Sequence, residues 1–341
     1  MVTAHPDNWR ITPSAMFLVA NIDRGGESTV YGTLASLAGL TKSVGFRYPE
    51  RNLTLFTGIG SLAWDRLFAG PRPARLHPFR SLEGQRHTAP STPGDLLFHI
   101  RADTPDLCFE LATRILDALD GAVTVVDSVQ GFRYFETRDL LGFVDGTENP
   151  TGEAAEAATT VGAEDSRFAG GSYVHIQKYL HDMPGWKALS VDEQERVIGR
   201  KKFDDIELAD EDKPTNAHVV LNSVEDDDGN ELDIVRLNMP FGDVGRGEFG
   251  TYFIAYSRDP AVTEQMLENM FIGDPPGNSD AILEFSTAIT GGLFYVPPAA
   301  FLDDPLPLSH LTPAPTSPVG TAPAAPSSSG SLNIGSLKGQ N

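Results

Sequence analysis

The 341-residue chain contains one cysteine, Cys108. That excludes an intrachain disulfide framework, a thiolate zinc site and haem attachment through a CxxCH motif, and it fits a reducing compartment. Long apolar runs are also missing, so no stretch reads as a transmembrane helix. The opening MVTAHPDNWR lacks the basic stretch and following apolar stretch of a secretory signal, so the expected location is the cytoplasm. Basic residues are scarce: 26 Lys and Arg against 47 Asp and Glu give a formal net charge of −21. Without a basic cluster interleaved with aromatics, such a chain repels nucleic acid and anionic membranes. What is present is 40% hydrophobic and 21% charged residues, the balance of a globular protein with a sizeable core.

In the first half, strands and helices alternate. Strand-like runs cover 16–22, 53–58, 95–100 and the stretch opening at 123–126, while helical spacing covers 29–44 and 62–68. Thr104-Pro105 supplies a cap followed by proline at the first helical position, and Leu107, Leu111, Ile115 and Leu119 follow at helical spacing. The resulting βαββαβ order predicts a ferredoxin-like α+β domain. Similar pieces recur later: strands over 172–177, 234–237, 251–256 and 293–296, a helix over 191–198, and a second cap-plus-proline start at Asp259-Pro260. We therefore expect a second domain of the same kind, with domains over residues 1–150 and 151–311. Residues 312–330, uncharged and with five prolines, read as an extended linker. Apolar Leu332, Ile334 and Leu337 then return in 331–341, which fits either a short docking peptide or a frayed terminus.

Several motifs imitate known sites. Gly58-Ile59-Gly60-Ser61-Leu62-Ala63 follows a strand, as a dinucleotide fingerprint does, but a proline-rich loop replaces the required second strand with its acidic end. We read those glycines as a tight turn. The acidic run Glu225–Glu231 puts Glu231 where a calcium loop needs glycine, so Asp228-Gly229 is better explained as a hairpin turn. Of the eight histidines, His99, His175 and His181 have no partner at metal-ligand spacing and read as structural; His218 sits where a polar loop meets an apolar strand. The segment Gly142–Pro150, GFVDGTENP, brackets Asp145 with two glycines at a strand end. It reads as an Asx-type turn or as a carboxylate presented into a cavity, and spacing does not choose between these.

GFVDGTENP resembles the GxxDG signature of the dye-decolorising peroxidases, particularly their bacterial B-type members. The resemblance continues through SYVHIQKYLHDMPGW, VIGRKK, the NAHV around His218, IVRLNMPFG, FIGDPPGNSD and FSTAITGGLFYVPP, covering roughly residues 10 to 305. It implies two ferredoxin-like domains with antiparallel sheets, and non-covalent haem b held mainly by the second. Position by position, it makes His218 the proximal ligand of the haem iron and Asp280 its acidic partner. Asp145 becomes the distal acid and Arg236 the distal arginine, with Asn238 beside it. Arg200 becomes a candidate for pairing with a haem propionate, and Gly146, Thr147 and Glu148 part of the haem wall. The implied activity is reduction of hydrogen peroxide through a ferryl haem, with dyes, phenols or Mn(II) as reductant. Asp145 would move the proton between the peroxide oxygens, and Arg236 would meet the negative charge on the leaving one. The rival reading is a haem-storing, haem-carrying or iron-removing protein of the same fold. SLNIGSLKG in turn is similar to the targeting peptide of encapsulin cargo, which implies packaging by a shell protein. The resemblance also implies a homo-oligomer.

Overall fold

The computed structural model describes Trp9 and residues 11–309. The stretches expected to be a linker (312–330) and a docking peptide (331–341) lie outside the described residues, as do His5 and His310.

Among the described residues twelve strands occur, in the order β1 (Ser14–Ile22), β2 (Thr54–Gly60), β3 (Leu82–Glu83), β4 (Thr88–Ala89), β5 (Leu96–Ala102), β6 (Val123–Phe132), β7 (Ser172–His181), β8 (Val235–Arg236), β9 (Met239–Asp243), β10 (Glu248–Ser257), β11 (Ser286–Ala288) and β12 (Gly292–Val296). β3 and β4 pair with each other, and the other ten form one sheet in the order β6-β1-β5-β2-β12-β7-β10-β8, with β9 on β10 and β11 on β7. All the pairings are antiparallel. In each half the first strand lies between the third and the fourth, which is the ferredoxin-like order. β2 and β12 join the halves through Phe294↔Gly60 and Tyr295↔Ile59.

The sheet folds over on itself. Phe17 of β1 stacks on Tyr252 of β10, ring centroids 4.1 Å apart, although four strands separate them in the sheet order. A Cβ added at Gly131 of β6 would come within 2.5 Å of Met239 of β9, so the two outer edges approach closely. The inner faces share one core that includes Val19, Phe56, Leu97, Val174, Ile254 and Phe294. Each such side chain contributes roughly 1.5–3 kcal/mol on burial.

Helices cover the outer faces. Pro105–Ala118 starts after Thr104 and buries Leu107, Leu111 and Ile115. Pro260–Phe271 is capped by the Asp259 carboxylate, which accepts from Ala261 N, and buries Met266, Leu267, Met270 and Phe271. Val191–Ile198 has a full capping box between Ser190 and Glu193 and stops at Gly199, which has φ 93°.

Four expectations need correction. The helix expected over 29–44 is two helices, Glu27–Leu34 and Leu37–Gly45, because Ser36 turns its hydroxyl back onto Thr33 O at the junction. Gly58 and Gly60 make no turn but lie within β2, where a Cβ on Gly58 would meet Phe294 at 2.9 Å and Leu97 at 3.2 Å. Close packing is what requires glycine at position 58. His218 opens a five-residue helix, His218–Asn222, rather than a strand. Asp145 follows an isolated bridge, Arg138↔Val144, instead of a strand end. The turn expected at Asp228-Gly229 is present, closed by the Glu225↔Glu231 bridge.

Candidate active site

A cavity of about 1120 Å³, counting its open mouth, lies between the outer face of the second half-sheet, the helix Pro260–Phe271 and the loop after β6. Asp145, Gly146, Thr147, Glu148, Arg200, His218, Arg236 and Asn238 all line it. Asp280 stands behind His218, 1% exposed.

His218 Nδ1 is 2.7 Å from Asp280 Oδ2 across 62 positions of sequence. Asp280 caps the turn Ala281–Glu284, with its Oδ1 accepting from Ile282 N at 2.9 Å, so the carboxylate is fixed before it meets the imidazole. Asn222, one helical turn beyond His218, donates Nδ2 to His218 O at 2.7 Å and reaches Asp280 Oδ2 at 3.3 Å. With Nδ1 held by an acid, Nε2 is the nitrogen left to ligate a metal, and the pairing makes the ring a stronger donor.

Asp145 follows a sharp loop in which Gly142 (φ 96°) and Gly146 (φ 79°) adopt the left-handed conformation that favours glycine. Its N–H donates to Thr137 O at 2.8 Å, and its Oδ1 accepts from Asn238 Nδ2 at 3.2 Å. Asn238 is itself held by Ile254 N, which donates to its Oδ1 at 3.1 Å. Arg236 is placed by β8, and Asn149 clamps its backbone through Nδ2→Arg236 O at 2.6 Å and Arg236 N→Asn149 Oδ1 at 2.9 Å. The loop carrying Asp145 is thereby tied to the strand carrying Arg236. Among the described residues, Arg236 Nε is buried without a hydrogen-bond partner.

Arg200 reaches the cavity wall with its guanidinium already paired to Glu148, Asp205 and Glu207. Thr147 Oγ1 donates to Asp205 Oδ2 at 2.6 Å. The motif reading passed over Asn149, Asn222 and Asp139. Asn149 stands inside the GFVDGTENP segment and Asn222 sits four residues after His218, so both carried a local signal. Asp139 also lines the cavity, and burial, reinforced by the nearby Asp145, pushes its carboxyl up to about 7.

A large planar ligand with an iron centre and two carboxylates fits this donor set. Phe143, Ile234, Phe253, Met266 and Met270 supply apolar walls. His218 supplies one nitrogen, and the unpartnered Arg236 Nε supplies a buried positive donor. Among the described residues no group of three or more His, Cys, Asp or Glu could hold a bare metal ion.

Two family models match: "Dyp-type peroxidase, N-terminal" over residues 10–133 and "Dyp-type peroxidase, C-terminal" over residues 136–301. A dye-decolorizing peroxidase of Mycobacterium tuberculosis is 63% identical over 329 residues, 96% of this chain and 95% of that protein. The encapsulated DyP-type peroxidase from Mycobacterium smegmatis superposes with a TM-score of 0.89 at 63% identity, covering 91% of this chain and 100% of that one. A variant of DypB from Rhodococcus jostii RHA1 in complex with heme superposes with a TM-score of 0.85 at 54% identity, covering 86% and 96%.

Proposed function

This chain belongs to the Dyp-type peroxidase family, and from that membership we propose that it is a haem b peroxidase reducing hydrogen peroxide at the expense of a dye, a phenol or Mn(II). The observation that carries the site assignment is one cavity that joins an acid-backed histidine to a carboxylate, an arginine and an asparagine. Haem, bound there, supplies the iron at which peroxide is activated and the electron-rich ring that spreads the oxidising equivalents. His218 would hold the iron with Nε2, the nitrogen left free, while Asp280 fixes the tautomer and orientation of its ring. Asp145 takes a proton from one peroxide oxygen and delivers it to the other, directly or through a water. Asn238 keeps the Asp145 carboxylate turned into the cavity. Arg236 places a permanent charge where the leaving oxygen becomes negative. Gly146, Thr147 and Glu148 line the cavity, and Arg200 on its wall would be the cation to pair with a propionate. A distal acid paired with a distal arginine favours peroxidase over haem storage or iron removal, neither of which needs both.

The test is an absorption spectrum of the purified protein before and after one equivalent of peroxide. A haem Soret band that shifts on mixing and is missing in His218→Ala supports the assignment. Haem that is inert to peroxide points to storage.

Residues 1–150 and 151–311 are the N-terminal and haem-binding domains in this reading, followed by the linker over 312–330 and a shell-docking peptide over 331–341. The encapsulated Mycobacterium smegmatis relative supports housing in an encapsulin compartment in the cytoplasm, and the protein is a homo-oligomer by family analogy. Extended, the linker spans on the order of 60 Å, enough to reach a shell wall. Deleting residues 331–341 should abolish co-purification with the shell protein; unchanged encapsulation refutes the docking role.

A further inference from the structure

Along the outer face of β7, five successive same-face residues are polar: Tyr173, His175, Gln177, Tyr179 and His181. A central strand facing a helix would ordinarily present apolar side chains there. Tyr179 and His181 reach the cavity. His181 is fully satisfied, by Ser286 Oγ at 2.8 Å and Thr251 Oγ1 at 2.9 Å. The middle of the row is not. His175 is 0% exposed, and neither of its ring nitrogens has a hydrogen-bond partner among the described residues. Gln177 is 0% exposed; its Oε1 accepts from Tyr179 Oη at 2.6 Å, and its Nε2 is unpartnered. Thr263, on the helix Pro260–Phe271 that covers this face, is 0% exposed, lines the cavity and leaves its hydroxyl unpartnered.

Buried polar groups without protein partners are normally satisfied by internal water. The spacing suits it. Same-face residues on a strand are ~6.7 Å apart, and two hydrogen bonds in series through one water span ~5.6 Å. The outer end lies against residues that line a surface cleft. Phe79, edge-on to His175 with ring centroids 6.0 Å apart, and Leu293, the cross-strand partner of His175, both line a surface cleft. Nearby, His77 Nε2 pairs with Glu264 Oε1 at 3.1 Å, both side chains about a quarter exposed at 24% and 26%.

We propose that His175, Gln177 and Thr263 hold a file of internal water that connects the cavity, at Tyr179, to the surface at His77 and Glu264, and that protons enter the cavity along it. The inference rests on the peroxidase reading for its task. Each turnover breaks the O–O bond of H2O2 and makes two waters, taking two electrons from the reductant and two protons from solvent. A reductant such as Mn(II) brings no proton, so both come from solvent, and the file offers them a route besides the open mouth of the cavity. His175 suits the part chemically. Burial, with the neighbouring His77 as a lesser cause, pushes its pKa down to about 3, so it stays neutral, with one nitrogen to donate and one to accept. It can relay a proton without carrying a standing charge in an apolar layer.

The experiment uses the full-length holoprotein. A high-resolution crystal structure of the wild type should show ordered waters on the His175 ring nitrogens, on Gln177 Nε2 and on Thr263 Oγ1. A dry site overturns the proposal, and this result does not depend on any variant folding. His175→Phe and Gln177→Leu plug the file with apolar groups at positions that do not themselves line the cavity. With Mn(II) as reductant in dilute bulky buffer, each should lower steady-state turnover at least about tenfold, as loss of a proton-transfer group does. Adding small acetic acid should restore the rate, whereas equal buffering by bulky MES should not. A merely structural role would not show that size-dependent rescue. A rate that the plugs leave unchanged, or a loss that acetic acid does not restore, overturns the inlet. No peroxide turnover in the wild type with any reductant would end the functional reading and the inlet's task with it, whereas turnover indifferent to His175→Phe ends the inlet alone.

Discussion

Replacing Asp280 by Asn tests the arrangement around His218 with almost no change of shape. Asp280 is 1% exposed, and its two oxygens receive three donors: His218 Nδ1 at 2.7 Å, Ile282 N at 2.9 Å and Asn222 Nδ2 at 3.3 Å. Asn offers one oxygen and one NH2 group. If the oxygen keeps Ile282 N, the NH2 group faces two other donors; if it flips, the half-buried Ile282 N–H loses its partner. The His218 bond also loses its charge assistance, which is worth roughly 1.5–3 kcal/mol against about 1 kcal/mol for a neutral bond. The expected penalty is about 2 kcal/mol, or about 30-fold, within the 10–100-fold typical when the partner of a metal-binding histidine is lost. The assay is haem transfer from the holoprotein to excess apomyoglobin, followed in the Soret region, with thermal unfolding of the apoprotein alongside. We expect transfer about 30-fold faster in Asp280→Asn. A rate within about twofold of wild type would refute the claim that Asp280 anchors the ligand histidine.

Two further predictions concern the distal side. Rapid mixing with peroxide should show Asp145→Asn slowed about 10²–10⁴-fold and Arg236→Leu about 10²–10³-fold, with haem content unchanged in both; wild-type rates in both variants would remove the assignment. Asp139, whose folded pKa is about 7 against an ordinary 3.8, holds its proton in the folded chain after the unfolded chain has released it. Between pH ~4 and ~7 the folded state therefore binds more protons, and apoprotein stability should fall by up to about 1.4 kcal/mol per pH unit from this group. Asp139→Asn should flatten that slope and make the protein relatively more stable at pH 7; urea titrations at pH 4.5, 5.5 and 6.5 measure it, and an unchanged slope is the contrary result.

Most elements of the fold were legible locally. Strand-like runs placed β1, β5, β10 and β12 to within a few residues, and the Thr104-Pro105 and Asp259-Pro260 starts opened helices where expected. These signals are readable because a strand's period and a helix's cap involve neighbours in sequence. Local reading failed where one residue's environment came from elsewhere. Gly58 looked like a turn because its reason, the ring of Phe294 across the strand pair, lies more than two hundred positions away. The motif segments likewise named the residues of the cavity without saying how they meet.

The sequence by itself determined the element order, the acidic character and the lack of intrachain disulfides, and its family motifs named candidate side chains for the chemistry. Tertiary structure decided that His218 finds Asp280 across 62 positions and that Asn149 clamps Arg236 across 87. It also decided that Arg200 arrives already paired with three carboxylates, and that β7 buries the His175 ring nitrogens and Gln177 Nε2 with no partner among the described residues. The physical reason is that periodicity and capping depend on residues a few positions apart. Hydrogen-bond satisfaction and burial are settled only when distant strands close around one cavity.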